Sequence, residues 1–163
     1  MEYKFANITN RILASDNLLE ALNTAYILSE GKKMDSDTLR DIQKNLKTGR
    51  YKGRLALDQN EGIVGLGLCD KNPVSPRYPG WGDLFQMKIF ENTSDNLENL
   101  FLENFLGDLK ISEIPGVLTE IDREDKGELS LFKGFGFSYI KREIVGAKMY
   151  FTFGKCLRNF KTL

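Results

Sequence analysis

The sequence predicts a single α/β domain, residues 1–163, with helices packed around one mixed sheet. Three observations predict it. The length, 163 residues, falls within the range of one domain. The composition, 41% apolar and 28% charged, excludes disorder, collagen and coiled coil as descriptions of the whole chain. The hydrophobic pattern alternates between strand and helix periods in the order β-α-α-β-β-β-α-β-α-β-β, with no repeat, linker or low-complexity tract.

Each element follows from its residues. Residues 3–8 make a short strand. Ser15 or Asp16 caps a helix whose Leu18, Leu19, Leu22, Ala25 and Tyr26 share a face, and Gly31 ends it. A second helix follows Asp35 or Ser36, with Leu39, Ile42 and Leu46 on one side and Gly49 as its stop. Strands 52–57 and 63–68 flank Asp58-Gln59-Asn60-Glu61-Gly62, a hairpin loop with glycine at its end. Gly65 and Gly67 alternate along the second strand and predict close approach of a neighbouring element or a ligand. A loop over 70–82 carries Pro73, Pro76 and Pro79 together with Arg77, Tyr78 and Trp81. The strand at 83–90 reads as alternating, with Phe85, Met87 and Ile89 on one face. Leu97, Leu100, Phe101 and Phe105 form the apolar stripe of a helix over 95–110. A strand at 117–121, a short helix at 125–133, and strands 137–145 and 147–153 joined at Gly146 complete the chain.

Charge and residue types exclude several functions. Lys plus Arg equals Asp plus Glu at 23 each, so no general electrostatic argument for nucleic-acid coating exists. There is no histidine, which removes Ser-His-Asp and Cys-His catalysis and His-ligated zinc. Cys69 and Cys156 make no disulfide framework and no metal spacing. The N-terminus has no secretory pattern and no apolar run spans a membrane, so the expected compartment is the cytoplasm. Neutral overall, the chain is polarised along its length. Residues 91–128 hold eleven acidic against three basic side chains, and residues 129–163 hold seven basic against one acidic. Such an acidic stretch is either a solvated face or an attractor for a cationic substrate or partner.

The element order, with a helix pair before a hairpin, resembles the GNAT superfamily of acyl-CoA-dependent N-acyltransferases. The residues that carry the resemblance are Asp125-Lys126-Gly127-Glu128-Leu129-Ser130-Leu131-Phe132-Lys133-Gly134-Phe135-Gly136-Phe137. They look like the family's late motif, Asn-x-x-Ala-x-x-Leu-Tyr-x-x-x-Gly-Phe. Leu131, Gly136 and Phe137 match outright, while Asp125, Glu128 and Phe132 stand for the Asn, Ala and Tyr. The resemblance implies a mostly antiparallel sheet of seven strands with four helices, split between strand 83–90 and the strand from Val117 to admit a pantetheine arm. It implies acetyl-CoA as cosubstrate. The acceptor would be a small-molecule or protein amine attacking the thioester directly. It places the acyl carbonyl on the backbone of Lys88, Ile89 and Phe90, and the rest of the cosubstrate against Ser94, Asp95, Asn96, Leu97, Asp125, Leu131 and Phe132.

Two departures bear on activity. The family's glycine-rich pyrophosphate loop corresponds here to Glu91-Asn92-Thr93-Ser94-Asp95-Asn96-Leu97-Glu98, which has no glycine and no basic residue. Thr93, Ser94 or Asp95 would cap the helix itself, whereas the glycines of the motif let a backbone approach phosphate. Phe132 has no proton to give where the family's Tyr protonates the departing thiolate. With no histidine, a base must be a carboxylate, a tyrosine, or water relayed by one of them, and Glu91 and Glu120 are the candidates near the expected cleft. Arg77, Tyr78 and Trp81 would form an acceptor wall, or else Trp81 packs on the sheet. Two alternatives to acyl transfer stand: a binding or regulatory module that kept the fold without the cosubstrate, and a homodimer paired through strands bearing Tyr150, Phe151 and Phe153.

Overall fold

The computed structural model describes residues 2–73, 78–90 and 96–158. Its strands are β1 (Lys4–Asn7), β2 (Tyr51–Leu57), β3 (Ile63–Asp70), β4 (Gly82–Ile89), β5 (Gly116–Asp122), β6 (Ser138–Val145) and β7 (Lys148–Cys156). The helices are α1 (Asp16–Glu30), α2 (Ser36–Thr48), α3 (Leu97–Ile111) and α4 (Lys126–Gly134). The seven strands form one sheet in the order β1-β2-β3-β4-β5-β7-β6. Every neighbouring pair is antiparallel except β4 with β5. The element order read from the sequence is therefore the order observed, with an added 3-10 turn at Asn10–Ile12.

The helix boundaries follow their caps. The Ser15 hydroxyl accepts from the Leu18 N–H at 3.3 Å, and an Asp35 carboxylate oxygen accepts from the Thr38 N–H at 2.7 Å. Helix α3 differs from its expected start. It begins at Leu97, and its N-cap is Asn96, in the left-handed conformation at φ 57° with no side-chain cap. Asparagine is among the few residues that tolerate this region, so Asn96 enters the helix through its backbone conformation and not through a side-chain cap of its own. Thr93, Ser94 and Asp95, the expected caps, lie outside the described residues.

The buried apolar residues form two clusters. Leu18, Leu22, Ile42 and Leu46 of α1 and α2 pack against Leu55, Leu66 and Leu68. Phe101, Phe105 and Leu109 of α3 pack with Met87, Val117, Ile121 and Phe132. Burial of each such side chain is worth about 1.5–3 kcal/mol. Gly67 explains how α3 sits so close: a Cβ there would lie 2.5 Å from the Phe105 ring. The close approach read from Gly67 is thus to a helix.

Strand β4 departs from simple alternation. Leu68 pairs with Gln86 and Cys69 with Leu84, so Phe85 is an extra residue opposite no partner on β3. This bulge resets the pleat. Leu84 and Met87 consequently share one apolar cluster, with Ile89 packed against it. Phe85 does not join them; it is 39% exposed, with its ring 4.9 Å from that of Tyr51. Of the expected Phe85-Met87-Ile89 face, only Met87 and Ile89 lie together.

Candidate active site

The bulge sits where the sheet opens. β4 pairs with β5 only through Gly82–Val117 and Asp83–Leu118. Beyond that point β4 continues to Ile89 and β5 to Asp122 without further pairing. The buried Thr119 hydroxyl donates to the Leu84 carbonyl at 2.9 Å, a side-chain bond at the place where the backbone ladder stops. A strand pair that parts leaves backbone donors and acceptors free for something else.

The opening is a cleft of about 320 Å³. One wall is β4 from Leu84 to Lys88, and the opposite wall carries Thr119, Glu120 and Asp122 of β5. Leu28, Ser29 and Glu30, at the end of α1, lie at one side; Asp125, Glu128 and Phe132 lie at the other. The Ser29 hydroxyl donates to the Gln86 amide oxygen at 3.0 Å, tying α1 to β4. A second cavity, about 150 Å³, runs along α3 and α4 between Ile89, Glu98 and Leu131. The two share Met87, Lys88, Asp125 and Glu128, so they meet at these residues.

Polar groups at the meeting point are coupled. Asp125 caps α4, one of its oxygens accepting from the Glu128 N–H at 3.0 Å. The Glu128 carboxylate lies 4.0 Å from the Lys88 ammonium. Burial pushes the Glu128 carboxyl up to about 7 despite Lys88, with Asp125 and Glu98 adding to the rise. Glu120 is also raised, by burial and then by Glu143. Asp83, at the closed end of the split, is pushed up to about 6 by burial, Asp70 and Glu120. Phe132 is 1% exposed, its ring edge-on to Phe137 at 5.0 Å.

The residues expected from sequence divide into groups. Lys88, Asp125, Phe132 and Glu120 line the inner cleft, and Ile89 and Leu131 line the outer groove. Phe90 packs instead with the α1–α2 cluster, and Leu97 is buried in the other core. Asn96 is exposed at the start of α3. Glu91, Ser94, Asp95 and Arg77 lie outside the described residues. The Tyr78 ring lies tilted against that of Trp81, centroids 5.0 Å apart, and neither lines the cleft. Trp81 covers Gly116 and Gly154; a Cβ on Gly116 would lie 2.4 Å from the indole. From the sequence, Glu128 reads only as the residue standing for the motif's Ala; the fold brings Lys88 across to it.

No protein-family model matches the sequence, and no curated protein matches it. Solved structures do. An N-acetyltransferase from Staphylococcus aureus superposes with a TM-score of 0.76 at 11% identity, covering 97% of this chain and 100% of that one. A GNAT-family acetyltransferase from the same organism gives 0.71 at 15% identity, over 96% and 100% of the two chains. The NatC complex bound to a Gag peptide and CoA gives 0.77 at 13% identity, over 97% and 100%. With its split sheet and its short helix at the opening, the chain has the GNAT acetyltransferase fold.

Proposed function

We propose that the protein transfers an acetyl group from acetyl-CoA to a primary amine, small or on a protein, by direct attack of the amine on the thioester. The observation that carries this reading is the split between β4 and β5, which joins a groove along α3 and α4 to a polar cleft reached beside α1. An uncharged, extended pantetheine arm suits that path. Its amides can pair with backbone freed where β4 and β5 part, while Met87, Ile89 and Leu131 offer apolar contact. Lys88 and Ile89 of the strand end, together with Asp125 and Leu131, are the residues proposed to hold it. The thioester supplies the acetyl group: a C–N bond forms as the C–S bond breaks, and the sulfur leaves as a thiolate that ends protonated. The chain's part is to align the amine with that group. Alignment alone can supply roughly 7–11 kcal/mol. A Tyr in place of Phe132 would add a proton donor typically worth a factor of about 10²–10⁴, so its absence slows the reaction without abolishing it.

A second reading, a binding module that holds no acetyl-CoA, is favoured by Glu98. This carboxylate stands in the first turn of α3 and lines the outer groove, where it opposes a bound pyrophosphate. Calorimetry separates the two. Acetyl-CoA binding at micromolar strength, about −8 kcal/mol, with acetylated amine detected by mass spectrometry, supports the transferase. Absence of binding at millimolar ligand supports the module.

A further inference from the structure

The two cavities share one carboxylate, Glu128, that is not taken up by a helix cap and that faces an ammonium group, Lys88. An amine arriving beside α1 and a thioester lying along α3 and α4 can come together only at the residues common to both cavities: Met87, Lys88, Asp125 and Glu128. Two of these are carboxylates. Asp125 is committed to capping α4. Glu128 has its own N–H held by that cap, and its carboxylate faces Lys88 across the opening at 4.0 Å. Its side chain is 22% exposed, open enough for a ligand to reach yet largely removed from water. Glu120 lines the inner cleft alone.

Resting on the acetyl-transfer reading, we propose that Glu128 is the proton acceptor for the incoming amine and that Lys88 is the positioning residue that holds its carboxylate at the junction of the two cavities. The proton leaves the ammonium nitrogen for a Glu128 carboxylate oxygen. The nitrogen keeps the electron pair with which it attacks, and Glu128 later gives its proton to solvent through the inner cleft. The charged groups around Glu128 set the pH at which this happens. Lys88 on β4 favours the ionised form; Asp125 before α4 and Glu98 on α3 oppose it. Glu30, Glu120, Asp122 and Lys148 line the same cleft from α1, β5 and β7, and Lys148 is drawn to Asp122 at 3.7 Å. Burial raises the carboxyl to about 7. The base is therefore protonated and idle well below that pH and ionised above it.

The experiment has two readouts. First, the ligand-free protein is labelled with ¹³C at the glutamate carboxyls and titrated by NMR in the wild type and in Lys88→Met. Glu128 is expected to titrate near 7 and to move upward without the Lys88 charge. A Glu128 that titrates in the ordinary glutamate range overturns the proposal whatever the activity. Second, acetylation of spermidine, phenethylamine and an alanine-initiated tetrapeptide is followed against pH. Glu128→Gln is expected to lower kcat about a hundredfold or more, to leave the acetyl-CoA KM within threefold, and to abolish the acidic limb of the profile. Lys88→Met is expected to move that limb to higher pH. Retention of kcat and limb by Glu128→Gln overturns the inference and leaves the transferase reading intact, as does a limb that disappears in Glu120→Gln instead. A wild type that binds acetyl-CoA neither alone nor with any amine overturns both. Unchanged melting of Glu128→Gln at pH 5 shows that a loss is chemical and not a failure to fold.

Discussion

The two ends of the β4–β5 pair are built from opposite materials. At the closed end the strands are joined by backbone hydrogen bonds through Gly82 and Asp83 and roofed by Trp81 on Gly116 and Gly154. At the open end the bulge at Phe85 turns β4 aside, and the space fills with Lys88, Glu120, Asp125 and Glu128. Glycines, a large ring and one largely buried acid, Asp83, close one end, whereas several charged side chains line the other. The contrast teaches where stability and chemistry are kept apart in this sheet. Substitutions at the closed end and in the floor of the cleft should change folding, while substitutions at the charged rim should change reactivity.

The largest expected effect lies at the floor. Phe132→Ala removes a fully buried ring between the cleft and Phe137 and should cost about 3–5 kcal/mol in urea unfolding. A smaller loss would mean the open end is already loose.

Asp83→Asn should stabilise the protein in a pH-dependent way. The native carboxyl is raised from 3.8 to about 6, so the folded state holds its proton more tightly than the unfolded chain. That favourable contribution is present below about pH 4 and is lost as pH rises through 6. Replacing the acid should therefore leave melting unchanged at pH 3.5 and raise stability on the order of 2–3 kcal/mol at pH 7.5. Equal melting curves at both pH values would show that Asp83 is solvated.

Gly116→Ala puts a methyl group 2.4 Å from the indole and should cost about 1–3 kcal/mol by overpacking. The same cost from Gly107→Ala, a helical glycine with nothing within 4 Å of its Cβ, would blur the distinction between the closed end and ordinary surface. Ser29→Ala is the gentlest test. It removes the exposed hydrogen bond to Gln86 and should change stability by less than about 1 kcal/mol. A shift in amine KM without a shift in melting would place the end of α1 at the acceptor entrance.

Much of the fold was legible because local chemistry and tertiary packing agree. Ser15, Gly31, Asp35 and Gly49 punctuate the first two helices as their side chains and φ values require. Asp125 through Phe137 announced the short helix at the opening, and Asp125 does cap it. The bulge was hidden because Phe85, Met87 and Ile89 alternate perfectly as letters, and an extra residue shows only against the partner strand. Asn96 was hidden because three other capping residue types, Thr93, Ser94 and Asp95, stand directly before it. The role of Glu128 was hidden for a different reason. Its partner Lys88 lies far back in the sequence on β4, and the packing of α4 beside that strand is what brings the two together.

Trp81 gives the closed end an optical consequence. It is the sole tryptophan of the chain, and its indole is pressed against the Cα atoms of two strands and the ring of Tyr78. Excitation at the long-wavelength edge of the protein's absorption band, beyond the reach of tyrosine, therefore lights one point of the molecule, the pivot about which β4 and β5 diverge. Filling the cleft with a ligand that leaves the pivot still would be dark to this emission. A ligand that pries the strands further apart would change its colour.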